Sequence, residues 1–247
     1  MRYVVLSDIH ANLEALDACL AAAKARGFDR ALVLGDLVGY GADPNAVVDR
    51  IRALDLAAIV RGNHDKVACG LEQAEGFNAV ARSAAQWTHD VLSDDQRAWL
   101  ASLPAGPIEV DDLVEICHGA PFDEDAYIFD ELDALRGLKV QSRPLCLFGH
   151  THYPATFQLS GGAFDSLGLG YAAEAHVTMQ EGSKYLINPG AVGQPRDGDP
   201  RAAYAIVDVD DQRVELFRVP YAVDVARAKV VKAGLPEVLA QRLGVGR

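Results

Sequence analysis

Over the first 65 residues, short apolar runs alternate with stretches whose apolar positions recur every three or four residues. That switching of period marks the strand–helix–strand units of a parallel sheet. Residues 2–7 read as a strand. Leu13, Leu16 and Leu20 then share one face of a helix that Asn12 can cap and Gly27 can stop. A second strand is expected over 31–35, and Asp43 before Pro44 supplies an N-cap and a first helical turn for a helix reaching about Leu54. A third strand falls at 57–61.

From Lys66 to about Leu103 the pattern is helical, with Ser93 and Gln96 spaced as a capping box ahead of Trp99 and Leu100. This segment reads as a helical insertion with Phe77, Val80, Trp87 and Trp99 at its core, placed to overhang a cleft. Strands resume at 113–117 and 145–148. The acidic stretch between Asp123 and Asp133 reads as a loop plus a short helix, with Asp123-Glu124-Asp125 a solvated face. Further strands are expected at 155–159, 175–179 and 184–187, then a hairpin of 203–209 and 213–219 around Asp210-Asp211, and helices at about 223–232 and 236–243. No repeat, linker or low-complexity tract divides the 247 residues, so one α/β domain is expected.

Composition narrows the setting. Half of the chain is apolar and 23% is charged, as in an ordinary globular protein. Asp17 and Lys24 interrupt the longest Ala/Leu-rich stretch, which excludes a membrane span. Met1-Arg2-Tyr3-Val4-Val5-Leu6 enters a strand without a basic leader or a long apolar region, so a cytoplasmic location is expected. The 23 Lys plus Arg against 35 Asp plus Glu give a net charge of −12, the wrong sign for bulk nucleic-acid binding. An aspartate-built metal site nevertheless becomes locally positive once filled. Cys19, Cys69, Cys117 and Cys146 show no C-x-x-C spacing and read as free thiols, buried except for Cys69.

The chemistry lies where strands end. Ser7-Asp8-Ile9-His10, Gly35-Asp36, Gly62-Asn63-His64-Asp65, His118-Gly119 and Gly149-His150-Thr151-His152 each follow an expected strand, and ligands of α/β sheets bind in the crevice outside strand carboxyl ends. Asp8 and His10 are two apart, as are His150 and His152, so in extended backbone each pair would reach one locus. Aspartate, neutral imidazole and an amide carbonyl suit a divalent Mn, Fe, Zn, Co or Ni ion. Two ions about 3.5–4 Å apart with one shared carboxylate need about seven ligands, and Asp8, His10, Asp36, Asn63, His118, His150 and His152 offer that number. His89 and His176 lie outside the clusters and read as structural.

D-x-H, G-D, G-N-H-D, H-G and G-H-T-H in this order resemble the calcineurin-like metallophosphoesterase superfamily. The stretch from Asn188 to Asp197 is similar to its small bacterial and archaeal phosphodiesterases. The resemblance implies a four-layer α/β/β/α sandwich of two mixed sheets. It places a first metal on Asp8, His10, Asp36 and His152, and a second on Asp36, Asn63, His118 and His150, with Asp36 as the bridge and manganese the foremost metal. The implied reaction is hydrolysis of a small phosphodiester or phosphomonoester through a metal-bridging hydroxide. His64 is the expected catalytic residue, protonating the leaving oxygen or stabilising its charge, because an extended turn would point it away from its neighbour Asn63. Arg196, in a Gly/Pro-rich loop, is expected either to bind substrate phosphate or to pair with Asp197 or Asp199.

Departures from the family pattern matter too. Gly35-Asp36-Leu37-Val38-Gly39-Tyr40-Gly41 lacks the second Asp and the Arg of the G-D-x-x-D-R-G motif carried by protein Ser/Thr phosphatases, which disfavours that activity and a symmetrical diadenosine tetraphosphatase. Asp65 either orients His64 or holds its loop. A nuclease would need a basic, aromatic-interleaved track that the chain lacks. A non-catalytic scaffold such as the retromer subunit departs from the histidine pattern that this chain keeps. The expected partner is a small phosphate ester, with homo-oligomerisation open.

Overall fold

The computed structural model describes residues 1–166 and 173–247. It opens with β1 (Arg2–Leu6), α1 (Leu13–Arg26), β2 (Arg30–Val33), α2 (Pro44–Arg52) and β3 (Leu56–Ile59). The helical segment follows as α3 (Asn63–Cys69), α4 (Ala79–Val91) and α5 (Asp94–Ala101). Next come β4 (Ile108–Glu109), β5 (Val114–Ile116), α6 (Glu131–Val140), β6 (Leu145–Leu147), β7 (Ala155–Ser160) and β8 (Ala163–Ser166). The chain finishes with β9 (Glu174–Thr178), β10 (Lys184–Asn188), β11 (Ala202–Asp208), β12 (Arg213–Val219), α7 (Val223–Lys232) and α8 (Glu237–Leu243).

These strands form two mixed sheets, ordered β3-β2-β1-β11-β12-β9 and β4-β5-β6-β10-β7-β8. The parallel trios β1–β2–β3 and β5–β6–β10 carry the carboxyl ends that matter below. In β1, Tyr3 and Val5 face the layer between the sheets with Leu32, Ile116 and Ile187, while Val4 and Leu6 face the helices with Leu16 and Val48. A strand covered on both faces must be apolar throughout, which is why β1 does not alternate. Leu138 and Ala134 of α6 cover the far side of the second sheet against Cys146 and Leu186. The expected four-layer α/β/β/α sandwich is therefore present.

Local signals act as expected at several ends and are overridden at others. Asn12 accepts the Ala15 N–H at 3.2 Å, and Gly27 ends α1 at φ 83°. Asp43 precedes Pro44 but caps nothing, because its carboxylate takes the Lys229 ammonium at 2.8 Å. Ser93 accepts the Gln96 N–H, whereas the Gln96 carboxamide donates to Asp49 and to the Asn45 carbonyl, so only half of the capping box forms.

Three expectations need correction. The hydrophobic pattern missed β4, only two residues long, and β8, an edge strand with little buried surface. The insertion has no core of its own: Phe77, Val80 and Trp87 pack with α7 and α8, whereas Trp99 joins the core under α1 and α2. Finally, Asp123-Glu124-Asp125 is a solvated face only in part: Asp123 and Asp125 are exposed, but Glu124 and Asp125 also pair with cations. Lys66, only 1% exposed, sends its ammonium to Asp125 at 2.5 Å and Glu124 at 3.5 Å, and Arg61 donates twice to Glu124. A buried ammonium requires carboxylates around it, and this loop supplies them.

Candidate metal centre

The five polar clusters meet at the carboxyl ends of β1, β2, β3, β5 and β6. The turns there are tight: among the described residues, eight non-glycine positions have left-handed φ, and Asp8, His10, Asp36, His150 and His152 are five of them. Such backbone costs roughly 1–2 kcal/mol per residue and persists where surrounding bonds enforce it. Here they do: Asp8 N–H donates to the Gly35 carbonyl, His10 N–H to Asp36 and Gly193 N–H to Asp8. Two glycines are forced by close approach, since a Cβ on Gly62 would strike the Asp36 carboxylate and one on Gly149 would strike Ser7 Oγ.

The left-handed turns overturn the extended-backbone expectation for the paired histidines. His150 and His152 part company, and Asp36 faces both loci. Ligand atoms of Asp8, His10, Asp36 and His152 lie within 4.8 Å of one another, as do those of Asp36, His118 and His150. Asn63 Oδ1 reaches 3.4 Å from His118 Nε2, on the second locus.

Ring tautomers decide what this arrangement can hold. His10 Nδ1 donates to the Val38 carbonyl at 3.1 Å, His152 Nδ1 to Gln194 at 2.6 Å, His118 Nδ1 to Leu34 at 2.7 Å and His150 Nε2 to Asp125 at 3.1 Å. With each outward nitrogen donating, each inward one carries a lone pair when the ring is neutral. His10 Nε2 and His152 Nε2 then confront each other at 3.1 Å with no proton between them. With both rings neutral no hydrogen bond can satisfy that contact, whereas a cation between the two nitrogens would.

Electrostatics agree. Burial holds His10 and His152 well below the usual imidazole range and His150 down to about 3. Burial alone would push Asp36 up, but the facing His118 and its neighbours hold it well below the usual carboxylate range. Burial likewise opposes charge on His118, yet Asp36 lifts it to about 10. Without another cation, the site keeps a proton on His118.

The remaining residues frame this cluster. Asn63 and His64 open α3 and are not in an extended turn. A helical step of about 100° still separates their side chains. His64 N–H donates to Asp36 Oδ1 at 2.9 Å, and its buried ring packs on Tyr40 at 4.3 Å and Phe77 at 4.5 Å. Burial lowers its pKa to about 4, so the ring is neutral near pH 7. Among the described residues its Nδ1 has no hydrogen-bond partner, and it faces Gly39, where an added Cβ would lie 2.5 Å away. Asp65 does not touch it: the carboxylate accepts the N–H groups of Leu37, Val38 and Gly62 and holds the two loops together.

Arg196 is free of its neighbouring carboxylates, because Asp197 pairs with Arg218 and Asp199 with Arg201. Its guanidinium donates to Gln194 and lies 5.8 Å from the Tyr40 ring centre. Sequence reasoning gave no role to Tyr40, Ser7, Asn188 or Lys66. Ser7 Oγ donates to Asp8 Oδ2 at 2.7 Å, and Asn188 Nδ2 donates to the Gly149 carbonyl and Thr151 Oγ1. Position at a strand end could have flagged Ser7 and Asn188. Nothing local marks Lys66.

Comparison with other proteins gives the family and the fold. Residues 1–212 match the model of the calcineurin-like phosphoesterase superfamily domain. An uncharacterized protein of Methanocaldococcus jannaschii is 38% identical over 98% of this chain and 97% of its own. The crystal structure of a metallophosphoesterase from Sphaerobacter thermophilus superposes with a TM-score of 0.85 at 39% identity, covering 100% of this chain and 99% of that one. A hypothetical protein from Pyrococcus horikoshii shares the fold at TM-score 0.78 and 19% identity, covering 100% and 98%.

Proposed function

The chain belongs to the calcineurin-like phosphoesterase superfamily, and on that premise we propose that it hydrolyses a small phosphodiester or phosphomonoester using two divalent ions. Asp8, His10, Asp36 and His152 would hold one, and Asp36, Asn63, His118 and His150 the other, with Asp36 shared. The observation that carries the proposal is the face-to-face approach of His10 Nε2 and His152 Nε2 at 3.1 Å, both with their outer nitrogens committed to carbonyls. Manganese suits this mixed carboxylate and imidazole set.

Bound ions would supply Lewis-acid activation of water and neutralise charge on the phosphate. The protein does the rest. Ser7 Oγ and the His150 N–H aim Asp8, whose pKa burial raises to about 6, and the His64 N–H aims Asp36, which stays ionised. Arg196, steadied over Tyr40, receives a phosphate oxygen. Tyr40 stands where the phosphatase motif has its arginine, so Arg196 brings the cation from another loop. One guanidinium matches the single charge of a diester better than the two of a monoester. His64, walled by Tyr40 and Phe77 and neutral near pH 7, donates a hydrogen bond from its ring N–H that stabilises charge on the leaving oxygen.

No helix of the described residues is long and apolar enough to cross a membrane. A cytoplasmic setting is part of the same proposal. Because the site draws on residues from Asp8 to Arg196, we take the chain to work as one domain.

The test is a panel of alkyl and aryl phosphodiesters, monoesters and nucleotides given to the manganese-loaded protein. Turnover is expected on diesters and should vanish with a chelator. Protein that carries two ions and hydrolyses none of the panel would overturn the proposal.

A further inference from the structure

Beside the second locus the protein exposes aromatic surface that the chemistry above does not use. The Tyr127 ring stacks on His150 with centroids 3.8 Å apart and planes 17° apart, and Phe129 stacks on Tyr127 at 4.8 Å and 11°. Tyr127 remains 42% exposed and Phe129 67%. Three near-parallel rings thus lead outward from a candidate metal ligand, and among the described residues Tyr127 is the ring partner of Phe129.

The loop presenting them is fixed at its base. Glu124 is gripped by Arg61, Asp125 by Lys66, and the Asp125 carbonyl accepts the His150 Nε2–H. An aromatic ring left in water on a fixed loop loses the burial that would normally stabilise it. The outer face of Phe129 is therefore a preorganised stacking surface, continuous with the metal centre through Tyr127 and His150.

From this geometry we propose that the substrate is a nucleoside ester whose base stacks on Phe129 while its phosphate lies at the metal centre. The inference rests on the phosphoesterase reading and names its substrate class. A phenyl ester would hold its ring against the phosphorus, inside the cleft. The free face of Phe129 lies two ring separations from His150, 3.8 and 4.8 Å, so a spacer must join ring to phosphate, and a ribose or a ribose with further phosphates provides one. Stacking tolerates any base, because each has a π-face. This agrees with the lack of hydrogen-bonding side chains on the two exposed rings other than the Tyr127 hydroxyl.

The experiment compares wild type with Phe129→Ala and Phe129→Trp, all manganese-loaded. A nucleoside phosphodiester and a dialkyl phosphodiester serve as substrates, and adenosine 5′-monophosphate and inorganic phosphate are titrated by calorimetry. Loss of stacking should raise KM for the nucleoside ester and Kd for the nucleotide by about tenfold in Phe129→Ala. Neither kcat, the dialkyl ester nor inorganic phosphate should respond, and Phe129→Trp should restore the nucleoside values. Equal values for wild type and Phe129→Ala on the nucleoside ester and nucleotide overturn the proposal, as does an equal weakening of the dialkyl ester and phosphate. If no ester is turned over, the phosphoesterase reading fails instead, and selective weakening of nucleotide binding in Phe129→Ala still supports the stacking surface.

Discussion

The two halves of the metal centre are made of different material. Asp8, His10 and His152 sit on left-handed turns tied by backbone hydrogen bonds to the Asp36 turn and to residues 192–196, and all three are essentially without solvent contact. On the other side, Asn63 opens a helix, and His150 is clamped by the carbonyl of a loop whose carboxylates reach solvent. The first half owes its shape to the sheet alone, whereas the second joins His118 on the sheet to a His150 whose outer nitrogen rests on a loop held by side-chain ion pairs. A centre built this way should bind one ion tightly and the other more weakly, and perturbations of loop and sheet should separate the two.

The largest effect belongs to Asp36, which serves both halves. Asp36→Asn should lower activity roughly 10⁴-fold or more and weaken both ions together. Selective loss of one ion would break the shared-carboxylate assignment. Next comes His64, which serves neither half as a ligand. His64→Ala should keep both ions and lose about 10²–10³-fold in kcat on a dialkyl diester, with a much smaller loss on a nitrophenyl ester whose leaving group departs unaided. An equal loss on both would leave positioning as its role, and a lost ion would make it a ligand.

Lys66→Ala attacks the second half alone. It removes the buried ammonium under the loop that holds His150. It should weaken the second ion about tenfold and lower stability by about 2 kcal/mol, moderated because Asp125 and Glu72 reach solvent. Equal weakening of both ions would contradict the proposed independence of the halves.

The smallest effect is a pH dependence. Arg61 holds the Glu124 carboxyl below its usual value of 4.5. A carboxyl whose folded pKa is depressed contributes stability that is present above its unfolded pKa and lost as pH falls through the folded one. Urea unfolding of wild type should therefore steepen its loss of stability below about pH 4.5 relative to Glu124→Gln. Parallel pH profiles would remove this ion pair from the second half.

The same contrast explains what could be read from the chain itself. Sequence order alone brought Asp8, Asp36, His118 and His150 to strand ends, because β-branched runs and the residues that stop them are local signals. Spacing misjudged the geometry, however: Asp8, His10, His150 and His152 were expected on extended backbone and lie in left-handed turns held by tertiary bonds. The role of Asp65 was undecidable from sequence, since two of its three amide donors, Leu37 and Val38, come from a loop 28 and 27 residues away. The acidic run looked like surface charge because its pairing with Lys66 spans 59 residues of chain. Tyr127 and Phe129 carry no periodic signature at all, being neither core nor helix face.

The central claim is a pair of ions sharing Asp36. It is tested most directly by titrating metal-free protein with manganese and counting bound ions per chain by elemental analysis, in wild type and in Asp36→Asn. Near two ions in wild type, entering with separate affinities, and fewer than one in Asp36→Asn at the same free concentration is the predicted result. Saturation of wild type at one ion, or an unchanged count in Asp36→Asn, would contradict it.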